Sequence, residues 1–329
     1  MTCSLRRRSL LAAGSALTLP ALARGAAAQA AFPSRPVRLM LGVPPGGAPD
    51  VAARLMADAL SARWRQPVVV DNRPAGNGNI AAQAVARGEA DGHTLLMAQA
   101  SILVLNDLVM RDVPFDVERD FVPIALLMVT PFMLAAAPGL PASNLAELRE
   151  LARARGGRMT FATSGAANLP RFAGEMLKSA LGIEMSNVAY SSVPNAIQDT
   201  AMGRTDLVID GTPVITPQVR GGTLKPIAVT SAERFPMLED IPVVAETVPG
   251  FRSVGWFGLV GPRAMPAPAV QRVAADMRAV LEAPEIRGRL LRDFGAAVVA
   301  NSPAEFAGFL TAERQLYRGL VRGSGVTMD

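Results

Sequence analysis

Two short loops hold the residue types that could do chemistry in this chain. Pro44-Pro45-Gly46-Gly47-Ala48-Pro49-Asp50 follows the apolar run Val37 to Val43. It leads into a stretch with Val51, Leu55 and Ala59 on one helical face and Ala52, Met56 and Leu60 beside it. This reads as strand, turn and helix, with Asp50 expected as the helix cap. Thr163-Ser164-Gly165-Ala166-Ala167-Asn168 repeats the arrangement after a strand over Met159 to Ala162. A glycine-bearing turn at a helix start offers free backbone N–H groups at the positive end of the helix dipole. That suits a small carboxylate without a buried Lys or Arg. One such loop is a common structural device, but a pair, one in each half of the chain, argues for a ligand cleft.

Other chemistries are poorly supplied. His93 is the only histidine and Cys3 the only cysteine, so a zinc site would need mainly carboxylates. A catalytic His93 would have to meet a Ser or Asp in space, and no G-x-S-x-G elbow or phosphate-binding P-loop occurs. Gly76-Asn77-Gly78-Asn79-Ile80-Ala81 has the spacing of a dinucleotide fingerprint, yet Asn72 to Ala75 separate it from the preceding strand, where the fingerprint turns at once. We read it as a loop needing flexible backbone, and expect no cofactor and no metal. Asp206 and Asp210 share one face of a strand and could form an acid/base pair only if they converged; Asp206 reads better as a turn residue. With two Trp and two Tyr, the chain is poor in stacking platforms for sugars or single-stranded nucleic acid.

The elements that must position these loops span 329 residues, a length typical of about two domains. The net charge of +5 invites a nucleic-acid reading until the charges are placed. Arg6, Arg7, Arg8 and Arg24 lie in the first thirty residues, which contain no acid; setting those four aside leaves 29 basic residues against 28 acidic. The rest is nearly neutral, so no nucleic-acid partner is expected. Residues 1–30 read as an export signal. A basic start precedes an apolar run from Leu10 to about Ala23, and Ala28-Gln29-Ala30 offers small residues for cleavage. Arg7-Arg8-Ser9-Leu10-Leu11 resembles a twin-arginine signal, with an ordinary Sec signal as the alternative. Phe121 to Ala146 is uncharged and long enough to span a membrane, but Pro123, Pro131, Pro138 and Pro141 would break a helix there. Buried strands and turns are expected instead, in a protein not embedded in a membrane.

Further strands are expected at Pro67 to Asp71, Thr94 to Ala98, Ser186 to Tyr190, Asp206 to Ile209 and Pro226 to Thr230. Helices are expected at Ile80 to Arg87, Asn168 to Leu181, Asn195 to Met202, Ala267 to Leu281, Glu285 to Phe294 and Pro303 to Val321. Alternation at this spacing argues for an α/β protein with parallel strands.

Several ordered segments resemble one family. PPGGAPDVAARL, VVVDNRPAGNGNIAAQAVARGEADGHTLLMA, PFDVERDFVPIAL, FATSGAANLPRFAGEM, PVVAETVPGF, GWFGLVGP and SPAEF, together with Asn106, are similar to segments of the Bug-type solute-binding receptors of tripartite tricarboxylate transporters, in the same order. The resemblance implies a type II periplasmic-binding fold: two α/β lobes, two crossing strands and a cleft that closes on ligand. Lobe 1 would comprise 31–131 and 254–329, lobe 2 132–253, with crossings near Thr130 to Ala136 and Val254 to Val260. It further implies a periplasmic, non-catalytic receptor that binds a small carboxylate or amino-acid-like ligand and delivers it to membrane transporter subunits. A partner of a periplasmic sensor is the alternative reading, and an exported enzyme on the same scaffold a remoter one. Carried over by resemblance, Gly46, Gly47 and Ala48 would offer backbone donors in front of Asp50, and Ser101 would face the cleft. Thr163, Ser164, Gly165 and Asn168 would meet the ligand carboxylate, while Tyr190 and Asp210 would select its other end. The chain departs from the family pattern at Ala167, Arg171, Ser191-Ser192, His93 and Tyr317. An Asp at 210 would repel a second carboxylate, so an amine or amide at that end is possible.

Overall fold

The computed structural model of the protein describes residues 32–165 and 168–324. The expected leader over 1–30, and Ala166 and Ala167 of the second loop, lie outside the described residues. β1 (Val37–Leu41), α1 (Ala48–Trp64), β2 (Val68–Asn72), α2 (Asn79–Ala86) and β3 (Thr94–Gln99) alternate as their patterning predicts, and the three strands pair in parallel with β1 in the middle. Three short helices follow, α3 (Ala100–Val104), α4 (Asn106–Val109) and α5 (Val117–Asp120), leading into the long strand β4 (Phe121–Ala136).

The second unit repeats the theme with α6 (Leu145–Arg155), β5 (Met159–Ser164), α7 (Leu169–Leu181), β6 (Met185–Tyr190), α8 (Val193–Ala201), β7 (Leu207–Gly211), α9 (Thr212–Arg220) and β8 (Lys225–Val229). β5 pairs in parallel with both β6 and β7. The chain ends with β9 (Val254–Pro262), α10 (Ala267–Glu282), α11 (Pro284–Phe294), the short β10 (Ala297–Val298) and α12 (Pro303–Ser324).

β4 joins the two parallel groups. Its first part, Phe121 to Pro131, runs antiparallel to β9, which in turn pairs antiparallel with β3; from Phe132 onward β4 pairs with β7 and β8. Proline removes a ladder donor, so a strand tolerates it only where pairing is irregular or ends. Pro123 lies at a register shift against β9, and Pro131 is the last residue β9 pairs before β4 changes partners. The prolines that exclude a helix here therefore mark a bulge and a change of partner within one strand. Three helical regions, α6, α9 and the run from α3 to α5, lie where the sequence patterning predicts no element. In α9, Pro213 sits in the first turn, where its missing N–H costs nothing; Pro217 gives up one bond inside.

One apolar core runs through both groups of parallel strands on the side covered by α12. Phe306 of α12 stands edge-on to Trp256 of β9, and Tyr317 edge-on to Phe172 of α7. Two buried charges lock α12 in place. Glu313 accepts from Arg252 and from Trp256 Nε1, and Arg314 donates to Leu103 O and to Asp107. A second cluster, including Met133, Val208, Ile215 and Phe235, fills the other face of the second lobe.

Candidate functional site

The first loop is built on a helix start. The N-cap of α1 is Gly47, and Asp50 sits in the first turn, which corrects the expectation that Asp50 itself caps. Proline at the second helical position is favourable because its absent N–H would lack a partner anyway. The Asp50 carboxylate instead reaches back to accept from Gly46 N at 2.8 Å, and from Arg54 Nε and Asn72 Nδ2 at 3.0 and 2.9 Å. Burial alone would raise its pKa, but the bonds from Arg54, Gly46 and Asn72 outweigh it and hold the carboxyl below its ordinary range. Asp50 is thus consumed in shaping the loop. Gly46 takes φ +85°, a left-handed conformation that side chains rarely adopt.

The second loop follows β5. Asn168 caps α7, accepting from Arg171 N at 2.9 Å, and its amide donates to Ser164 O. Gly165, at φ +98°, donates its N–H to Tyr190 O. Thr163 is fully buried; its hydroxyl donates to Gly165 O and accepts from Asn187 Nδ2. Ser164 Oγ donates to Asp210 Oδ2 at 2.9 Å, while Asp210 Oδ1 accepts from Gly211 N at 2.8 Å.

Between the two loops lies a cavity of about 380 Å³. Of the predicted residues, Ala48, Ser101, Ser164, Asn168 and Asp210 line it. Gly46, Gly47, Asp50, Thr163, Gly165 and Tyr190 do not; the first three shape the α1 turn, and Thr163 and Gly165 shape the α7 turn. The Tyr190 hydroxyl donates to Asp199 at 3.0 Å, and its ring packs against the second apolar cluster. Lining residues that the sequence did not single out include Gln99, Thr130, Phe132, Leu169, Phe257 and Phe294. Phe257 had a signal, since it lies in the glycine-flanked segment GWFGLVGP read as a crossing; Phe294, at the end of a helix remote in sequence, had none. Trp256 also borders the cavity, but its ring lies on Phe306, Phe309 and Glu313 of α12. Strand alternation sends Phe257 to the opposite face.

The rival motifs have structural roles. His93 is buried, accepts from Ser34 N at Nε2, and places Nδ1 3.0 Å from Asp91. Asp206 accepts from Arg155 and from Thr160 N, so it does not converge with Asp210. In the Gly-Asn loop, a Cβ on Gly42 would lie 2.6 Å from Gly78 Cα, so that glycine pair serves a close approach of backbones. Asn106 donates to Asn77 O and Asn79 Oδ1 and pins the same loop.

A family model described as the tripartite tricarboxylate transporter family receptor matches residues 52–325. The chain belongs to this receptor family. It is 34% identical to a UPF0065 protein of Bordetella bronchiseptica over 308 residues, covering 94% of this chain and 91% of that one. Among solved structures, R. palustris Rpa4515 with adipate superposes with a TM-score of 0.76 at 32% identity, covering 90% of this chain and 99% of that one. MatC from Rhodopseudomonas palustris with bound malate gives 0.71 at 27%, covering 88% and 100%. The chain thus has the two-lobe periplasmic-binding fold of this receptor family. Among the described residues no helix is long and apolar enough to cross a membrane.

Proposed function

We propose that this protein is a periplasmic receptor that captures a small carboxylate between its lobes, leaves it chemically unchanged and delivers it to membrane transporter subunits. The observation that carries this reading is the cavity between the α1 and α7 turns, each a helix start at the carboxyl end of a strand. The adipate and malate held by the two structural relatives support the ligand class. The lobes would divide as 31–131 with 254–329 and 132–253. Ala48, Ser101, Ser164, Asn168 and Asp210 would touch the ligand, while Gly46 and Gly47 would shape the turn at the start of α1. Asp50, Thr163, Gly165 and Tyr190 would hold the surrounding turns in shape.

A thermal-shift screen tests this, after partial unfolding and refolding to strip any carried ligand. A carboxylate at a hundredfold its dissociation constant adds about 2.7 kcal/mol of stability and raises the melting temperature. The ligand should be recovered intact after prolonged incubation. Failure of every carboxylate in a panel of mono-, di-, tri- and aminocarboxylates to stabilise the protein, or turnover of one that binds, would overturn the reading.

A further inference from the structure

A second cavity, of about 340 Å³, lies between α9, the segment Phe235 to Leu238 and the end of α11. Its volume falls in the range of small-molecule sites. Of its lining residues, only Pro213 also lines the cavity between the α1 and α7 turns. Thr212, Thr216 and Arg220 recur at every fourth position of α9, so one face of that helix forms a wall with two hydroxyls and a guanidinium. Phe235 and Leu238 are buried in the second apolar cluster, and Leu291 of α11 packs against it.

The ionisable lining residues are Arg220, Arg292 and Asp293. Asp293 is matched by Arg289 at 3.6 Å. Arg220 donates to the neutral carbonyl of Met237 at 3.3 Å, and Arg292 has no acceptor among the described residues. Gly288 makes room for Arg292, since a Cβ there would lie 2.8 Å from Arg292 Nη1. Glycine inside a helix costs stability, and here it seats a guanidinium. Both arginines sit in the last turns of their helices, where a cation is favoured in its own right, so they alone would not mark a site. The deciding group is the Thr212 hydroxyl. Thr212 is 1% exposed, and its Oγ1 has no hydrogen-bond partner. It stands 3.3 Å from the position a Cβ on Gly295 would take, and Gly295 lines the same cavity. Buried hydroxyls are almost always satisfied, so one left open in a cavity wall beside two unmatched cations marks the place of an acceptor.

We propose that this second cavity binds a small organic oxyanion, a carboxylate or phosphate monoester on an apolar body. The oxyanion accepts from the Thr212 and Thr216 hydroxyls and from Arg220 and Arg292, whose planar forks match paired oxygens. The apolar body lies on Phe235, Leu238 and Leu291. The Thr212 hydroxyl is covered here by the Gly295 turn, which moves aside as the anion enters. This occupant is distinct from whatever the cavity between the α1 and α7 turns holds.

Isothermal titration of the purified protein with phenyl phosphate, benzoate and neutral benzamide tests this. One of the two anions should bind, the tighter naming the oxyanion, with benzamide at least about tenfold weaker. Arg220→Gln/Arg292→Gln changes two exposed residues outside the first cavity and should weaken that anion about tenfold or more. Thr212→Val keeps the side chain's shape and should weaken it about fivefold or more, while the melting temperature of the probe-free protein holds or rises, because an unpartnered hydroxyl gives way to a methyl group. A hydroxyl with a purely structural role would show the reverse. Binding of neither anion overturns the inference. So does an affinity unchanged in the double arginine variant, which would place the anion in the first cavity, or a Thr212→Val protein that melts lower and binds as tightly as the parent.

Discussion

Thr230 holds the point where β4 changes partners, and removing its hydroxyl should weaken that point by a predictable amount. The residue is buried and follows β8. Its N–H donates to Phe132 O, its Oγ1 accepts from Phe132 N at 2.9 Å and donates to Ser253 O, and its own carbonyl accepts from Ser253 N. Phe132 is where β4 leaves β9, and Ser253 immediately precedes β9. One side chain thus bridges β4, where it changes partner, and the start of β9. Thr230→Val keeps the volume and removes both side-chain bonds. A buried N–H left without a partner costs about 1–3 kcal/mol and a lost bond to a carbonyl about 0.5–1.5, so the expected loss is about 2–4 kcal/mol. Thr230→Ser keeps the hydroxyl and loses one methyl, about 1 kcal/mol. Urea unfolding of the three proteins measures the difference. A Val variant within about 0.5 kcal/mol of the parent, or a Ser variant as unstable as Val, would refute the reasoning.

Two further perturbations follow from packing and charge. Asp276 accepts from Arg63, Trp64 and Arg272, and although burial alone would raise its pKa, those bonds hold it below the ordinary carboxylate range. Its stabilisation is present above the unfolded-state pKa near 4 and disappears as pH falls through the lower folded value. Asp276→Asn should therefore cost about 1–3 kcal/mol at pH 7, and the gap to the parent should narrow in acid unfolding below about pH 4; a gap that stays constant would show that the charge is not responsible. Gly258 in β9 has room for no side chain, because an added Cβ would overlap the ring of Phe306. Gly258→Ala should destabilise by about 1–3 kcal/mol in urea, with partial recovery in a Gly258→Ala/Phe306→Leu double variant; additive losses in the double variant would contradict this packing account.

Much of this architecture could be read from local signals. The alternation of Val37 to Val43 with the periodic stretch after Asp50, and the glycine-bearing turns at Gly46-Gly47 and Gly165, point to two strand-turn-helix units whose expected bounds lie within three residues of the observed ones. Signals that depend on partners remote in sequence were not legible. Asp50 has the composition of a cap, but its role is set by Arg54, Asn72 and the Gly46 N–H, which converge only in the folded loop. Tyr190 and Asp210 both end strands of lobe 2. The phenol finds Asp199 on α8, while Asp210 lines the cavity, a difference that strand alternation alone does not decide. Phe294 reaches the cavity only because α11 returns against α9, where Gly295 packs on Pro213. The antiparallel character of β4 and β9 was hidden because an apolar strand reads the same in either direction.

The distribution of charge explains why both walls must act together. Buried charged side chains such as Asp50, Asp276, Glu313 and Arg314 are engaged in fastening helices to sheets, and none of these lines the cavity. A ligand there meets dipoles and apolar surface, with Gln99, Ser101 and Thr130 on one side and Ser164, Asn168 and Asp210 on the other. A neutral hydrogen bond contributes about 0.5–1.5 kcal/mol net, so three on one wall supply about 3 kcal/mol. Micromolar affinity requires about 8 kcal/mol. The difference has to come from the opposite wall and from apolar surface that is buried only when both lobes contact the ligand. Ligand binding and lobe closure are then one equilibrium, because a ligand shifts a conformational balance only by its differential affinity for the two states. A cleft lined with arginines could hold an anion on one lobe alone. This nearly uncharged one would couple occupancy to shape.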